Sequence, residues 1–340
     1  MGVIIRKRRT RDCIFTTQRN MICACRCSIA AISSWGPPRP ALAASVGPSL
    51  ASRGEYLRQI AASKGLLFGS VVRFSSLRGK TPYSEIVASE CSLYVCADMH
   101  WRLVAPTPNA TNFSKVDAAE AWARAHDMRF RGHSLLWHRQ MPSWFAEIGS
   151  RESASAALQA HIRQMCSHFK GEMQSWDVVN EPIQTSGRSG MLRKSVFTEK
   201  IGPEFLDIAF HTAREADGKA LLTLNEYGTE YNIPDHLRKR RELLKLIDGF
   251  KSRGTPIDAI GIQSHLSTGH AAETDQESIA GFFKEISDRG LKIMLTELDV
   301  VDRASPGDIA TRDREVAQLY KRYLDAALEN RAVIAVVPGA

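Results

Sequence analysis

Between residues 66 and 337 short apolar runs alternate with segments of helical periodicity, and this alternation restricts the fold more than any other feature. The runs are "LLFGSVV" (66–72), "CSLYVCA" (91–97), "RFRGHSLLW" (129–137), "QSWDVVN" (174–180), "ALLTLNEY" (220–227), "IDAIGIQSH" (257–265), "LKIMLTEL" (291–298) and "AVIAVV" (332–337). Stretches such as "KVDAAEAWARAHD" and "REVAQLYKRYLDAALEN" fill the intervals with a helical period. Strands separated by helices pair in parallel, and eight such units fit a closed βα barrel better than an open sheet, where about five or six are usual. An open sheet would also need a glycine-rich phosphate loop after its first strand, and "FGSVVRFSS" is not one. The expected fold class is α/β, a (β/α)8 TIM barrel.

With 340 residues, 44% of them apolar, the chain can bury a sizeable core. The formal charge of +8 is unevenly placed: residues 1–50 hold eight Lys/Arg against one Asp, so +7 lies there and +1 remains for the rest. A nearly neutral body argues against a nucleic-acid partner. Residues 1–50 read as a leader and linker. "IRKRRTR" is a basic start, "MICACRCSIAAI" a weak apolar stretch, and "PALAA" a small-residue cleavage site after Ala43. Export to a secreted or periplasmic location is the expectation, the alternative being an upstream extension before a start at Met21. The folded domain is expected over 51–340, with no window long and apolar enough to span a membrane. Cys13, Cys23, Cys25 and Cys27 fall in the leader, while Cys91, Cys96 and Cys166 belong to the body. A Cys91–Cys96 bridge and two free thiols both remain open.

On a βα barrel, chemistry gathers where the strands end. The fourth strand ends in Asn180 and Glu181 before Pro182, which has no N–H to extend a ladder. The seventh ends in Thr296, Glu297, Leu298 and Asp299, and the period of two puts Glu297 and Asp299 on one side. Three βα steps separate these strands, so the two glutamates can converge over the mouth. Facing acids make glycoside hydrolysis possible: one protonates the leaving oxygen, and the other attacks the anomeric carbon or activates water. Gln263 and His265 share a face of the sixth strand, where His265 can hydrogen-bond Glu297 and hold it ionised. In the third strand His133, Leu135 and Trp137 share a face and His138 takes the other, an arrangement suited to a sugar ring. Asn225, Glu226 and Tyr227 close the fifth strand in the same style.

Each of these residues also has an ordinary explanation. A glutamate after a strand is favoured by the dipole of the next helix, and single histidines or tryptophans are usually structural. A zinc site from His133, His138 and His265 is disfavoured because the first two point to opposite faces, so neither metal nor cofactor is expected. "RKRRELLKL" (238–246) reads as a solvated helix face. Coincidence at five consecutive strand ends favours the functional reading.

"RGHSLLWHRQMPSW", "WDVVNEP", "LNEY", "GIQSHL" and "LTELDV", in this order and spacing, resemble the endo-1,4-beta-xylanases of glycoside hydrolase family 10. The resemblance covers about residues 55–337. It implies a retaining barrel enzyme with Glu181 as acid/base and Glu297 as nucleophile, their carboxyl groups ~5–5.5 Å apart. It further implies that Asn180 contacts the sugar 2-hydroxyl, that His265 and Asp299 hold Glu297, and that His133, Trp137 and Gln263 line the same subsite, with Tyr227 in support. Xylan or a xylo-oligosaccharide is the implied partner; the sequence does not show the oligomeric state, and a monomer is the expectation. Two features depart from the family. Where it carries Glu-Asn-Glu-Met-Lys-Trp after the second strand, this chain has "CADMHW", so Cys96, Ala97 and His100 replace three polar contacts to the neighbouring sugar. The family also continues past strand eight with a tryptophan segment and a final helix, whereas the last tryptophan here is Trp176, so a barrel lacking its final helix is expected. Two functions follow as expectations: hydrolysis of internal beta-1,4-xylosidic bonds in xylan, or a non-catalytic truncated barrel that at most binds xylan.

Overall fold

The computed structural model describes residues 55–184, 192–303 and 307–339; the leader expected over residues 1–50 lies outside them. Ten strands form one parallel sheet: β1 (Leu67–Val72), β2 (Leu93–Cys96), β3 (Arg129–Gly132), β4 (Leu136–Trp137), β5 (Met173–Asn180), β6 (Leu221–Glu226), β7 (Ala259–Ile262), β8 (His265–Ser267), β9 (Lys292–Val301) and β10 (Val333–Pro338). The order runs β10-β1-β2-β3-β5-β6-β7-β9, and β10 also pairs with β9, which closes the ring. β4 pairs with β5 and β8 with β9, so each prolongs the stave before it. The barrel therefore has eight staves, at the eight apolar runs.

Two staves are broken where the sequence reads as continuous. From Gly132 to Leu136 the chain advances four residues while β5 advances three, from Trp176 to Val179. The extra residue ends the alternation, and Leu135 turns into the apolar core instead of sharing a face with His133 and Trp137. Between Ile262 and His265 the opposite happens, with β9 advancing from Leu295 to Asp299. There Ser264 takes a left-handed backbone, φ 63°, and separates β7 from β8. Bulges of this kind re-aim side chains at barrel rims.

Helices fill the crossovers, among them Pro82–Glu90, Ser114–Ala125, Arg151–His168, Phe205–Ala216, Pro234–Arg253, Gln276–Asp288 and Ile309–Leu328. Their starts carry the expected caps: Thr81, Ser150, Asp275 and Asp308 each accept a backbone N–H from the first turn. Their apolar stripes pack on the barrel's outer surface, as Leu319, Tyr323 and Leu324 do for the last helix, each such side chain contributing ~1.5–3 kcal/mol by burial. One helix departs from its sequence reading. Lys239 and Arg240, taken as part of a solvated face, are both buried against the barrel. Cys91, Cys96 and Cys166 are buried free thiols, and among the described residues no helix is long and apolar enough to cross a membrane.

Candidate active site

The fourth stave, β5, delivers Asn180 and Glu181 to the rim. Glu181 has φ 56°, in the left-handed region, and donates its N–H to Asn225 O at 2.9 Å. Its carbonyl accepts Arg193 Nε at 2.9 Å, and the same guanidinium reaches Ile183 O at 3.2 Å and the Tyr227 hydroxyl at 3.1 Å. Beyond Pro182, the Ile183 N–H donates to Glu226 Oε1 at 2.7 Å. The turn bearing Glu181 is thus held by its own backbone and by two neighbouring side chains.

From this turn an amide network crosses the mouth. Gln263 Nε2 lies 3.4 Å from Glu181 Oε1 and 3.2 Å from Asn180 Oδ1. Asn225 Nδ2 donates to Asn180 Oδ1 at 3.0 Å and to Glu297 Oε1 at 2.9 Å, while its Oδ1 accepts Thr296 Oγ1 at 2.7 Å. Asn225 can reach these partners because residue 261 on the next stave is glycine, where a Cβ would collide with the Asn225 amide oxygen. The other Glu297 oxygen faces His265 Nε2 at 3.6 Å, and His265 Nδ1 is 3.1 Å from Asp299 Oδ1. Asn180, Glu181, Asn225, Gln263, His265, Glu297 and Asp299 therefore form one connected set on four staves.

The charges in this set are unequal. Burial alone would raise the pKa of Glu297, but the His265 hydrogen bond, the charges of His133 and His265, and the Asn225 amide together pull it down to about 2. His265 moves the other way: burial opposes its charge, yet Asp299 and Glu297 raise it to about 10. His133 is also raised: burial opposes its charge, but the hydrogen bond to the Asp177 carboxylate, 2.8 Å from its Nδ1, and the charges of Glu297 and Asp177 outweigh that cost. Glu297 is thus held as a carboxylate against two imidazoles that favour their cationic form.

The remaining expected residues lie around this centre. His133 and Trp137 have ring centroids 6.1 Å apart, and His100 sits 5.4 Å from each. Burial holds His100 neutral, down to about 3. Tyr227 stands behind the Glu181 turn, with Lys239 Nζ 3.7 Å from its ring centre and Arg193 on its hydroxyl, so it braces that turn. Asp177, Arg131 and Arg193 do not stop an apolar run and so carry no strand-end signal, and Lys239 lies in a run that reads as a solvated face. A lone acid inside the apolar "WDVVN" could have marked Asp177, since an unpaired buried carboxylate is costly. Lys239 precedes Leu243 by one helical repeat and so shares its buried stripe.

A closed parallel barrel with a network-linked pair of glutamates at its mouth defines the glycoside hydrolase class of site. A family model, Glycosyl hydrolase family 10, matches residues 56–338, and the chain belongs to that family. It is 31% identical over 294 residues, 85% of this chain and 81% of the relative, to endo-1,4-beta-xylanase B of Thermotoga neapolitana. Endo-1,4-beta-xylanase C of Paenibacillus barcinonensis is 32% identical over 249 residues, 68% of this chain and 22% of that longer protein. Among solved structures, xylanase 10B of Thermotoga petrophila RKU-1 in complex with xylobiose superposes with TM-score 0.77 at 29% identity, covering 85% of this chain and 86% of that one.

Proposed function

We propose that this chain hydrolyses internal beta-1,4-xylosidic bonds of xylan and xylo-oligosaccharides by double displacement with retention. A Glu297 oxygen attacks the anomeric carbon while Glu181 gives its proton to the departing glycosidic oxygen. Water then attacks the glycosyl-enzyme, Glu181 takes the water's proton, and Glu297 leaves as a carboxylate. The observation carrying this reading is the continuous network from Glu181 through Gln263, Asn180 and Asn225 to Glu297, whose second oxygen faces His265. The xylanase names of its relatives support the substrate class. The test is reducing-sugar release from xylan: wild type is expected to release sugar with the β-anomer formed first, and Glu297→Ala at least ~10³-fold less. Equal release from both would leave the non-catalytic barrel as the reading. Export rests on the basic and apolar make-up of residues 1–50, and the amino-terminal sequence of secreted protein, expected at Ala44, tests it.

A further inference from the structure

Among the strands at the mouth, β8 has little support of its own. It comprises three residues, His265–Ser267, stands last in the sheet order and pairs only with β9 among the described residues. A short edge strand presents unpaired N–H and C=O groups on its outer side. On that side the Ser267 N–H donates to the Tyr231 hydroxyl at 2.6 Å, and the same hydroxyl donates to His265 O at 3.4 Å. Residues two apart in a strand turn their peptide groups the same way, so one phenol can bridge both. A neighbouring strand would make these bonds in a wider sheet. Here a single side chain makes them, from the loop between β6 and the helix Pro234–Arg253.

Tyr231 is itself held in place for this contact. It is buried, its ring centre lies 5.1 Å from that of His236 and 4.9 Å from that of His270, and its N–H donates to His236 Nδ1 at 3.1 Å. A second phenol meets the other end of the segment: the Tyr323 hydroxyl, on the helix Ile309–Leu328, is hydrogen-bonded to Ser264 Oγ at 2.9 Å. A phenylalanine would fill the space of Tyr231 equally well, so what the hydroxyl adds is its pair of bonds to β8. Those bonds matter because the His265 side chain is 43% exposed, and packing alone does not fix it. Its Nδ1 is 3.1 Å from Asp299 Oδ1 and its Nε2 3.6 Å from Glu297 Oε2, contacts that a slip of about 1 Å in β8 would undo. We propose that Tyr231 is a positioning residue for His265: by closing the free edge of β8, its hydroxyl sets the imidazole against Glu297 and Asp299. The proposal rests on the reading of Glu297 as nucleophile given above. The acids that act on His265 are Glu297 and Asp299 from β9 and Glu230 from the Tyr231 loop, and Tyr231→Phe leaves all three in the chain.

The test is a double-mutant cycle in the full chain, with Tyr231→Phe, His265→Ala and the two combined, each assayed on xylotetraose. With His265 present, Tyr231→Phe is expected to lower kcat about tenfold with little change in KM, because a carboxylate is misplaced and no substrate contact is lost. In the His265→Ala background the same substitution is expected to leave kcat unchanged, while it lowers the melting midpoint equally in both backgrounds. Equal fold-losses of kcat in the two backgrounds overturn the proposal, since a merely structural role gives that result. So does an unchanged kcat in Tyr231→Phe. Ring nitrogen NMR supplies a readout independent of turnover: His265 is expected to titrate at about 10 in wild type and lower in Tyr231→Phe, and coincident titrations count equally against the proposal. If wild type does not cleave xylotetraose, the functional reading fails, and the titration still decides whether Tyr231 positions His265.

Discussion

Asn225 donates from one amide nitrogen to Asn180 and to Glu297, and its oxygen is fixed by Thr296. It thus hydrogen-bonds both the strand end that carries Glu181 and the carboxylate of Glu297. Replacing Asn225 by Ala is expected to leave the fold in place but loosen both acids by a fraction of an ångström, lowering kcat by about 10²-fold with a smaller change in KM. Steady-state kinetics on xylotetraose check this, and an unchanged kcat would remove Asn225 from the machinery. The glutamates, His265 and Asp299 were legible in the sequence because they stop apolar runs, and a period of two then predicts their side. Asp177 and Arg131 were not, because they lie within strands and a one-dimensional pattern does not say which interior positions pair. Lys239 was hidden differently: in "RKRR" four cations compete for the same description, and only the phase of Leu243 and Ile247 says which face is buried.

At the scale of elements, all eight staves and the alternation with helices could be read directly, since each stave is apolar and each long helix amphipathic. The breaks between β3 and β4 and between β7 and β8 could not. They depend on register against β5 and β9, which is a relation between strands, not a property of either. Stave six shows how tightly neighbours are fitted, because Gly261 leaves room for the Asn225 amide. Gly261→Ala is expected to cost ~1–3 kcal/mol by overpacking and to lower activity beyond what the stability loss explains, since the displaced side chain is Asn225. Denaturant midpoints and kcat measured on the folded fraction separate the two effects. A variant with full activity would show that the amide can shift freely.

For the whole molecule, closure by β10 onto β1 and β9 makes one cooperative body, and the buried ions tie its stability to pH. Glu226 is fully buried and raised to about 6 by that burial, against the pull of Lys239 at 2.5 Å. Because its folded value lies above the unfolded value of 4.5, its contribution is fully present below pH 4.5 and is lost as pH rises through 6. Relative to Glu226→Gln, wild type is expected to lose on the order of 2 kcal/mol between pH 4.5 and 7, read from urea midpoints at the two values. A constant difference between the proteins would mean that Glu226 stays ionised throughout. The left-handed backbone at Glu181 also bears on the stability of the whole. L-residues other than glycine and asparagine seldom settle there, and the usual penalty is ~1–2 kcal/mol. Glycine or asparagine at position 181 is therefore expected to relieve this strain and raise the melting temperature, at the loss of the carboxyl that the proposed mechanism uses.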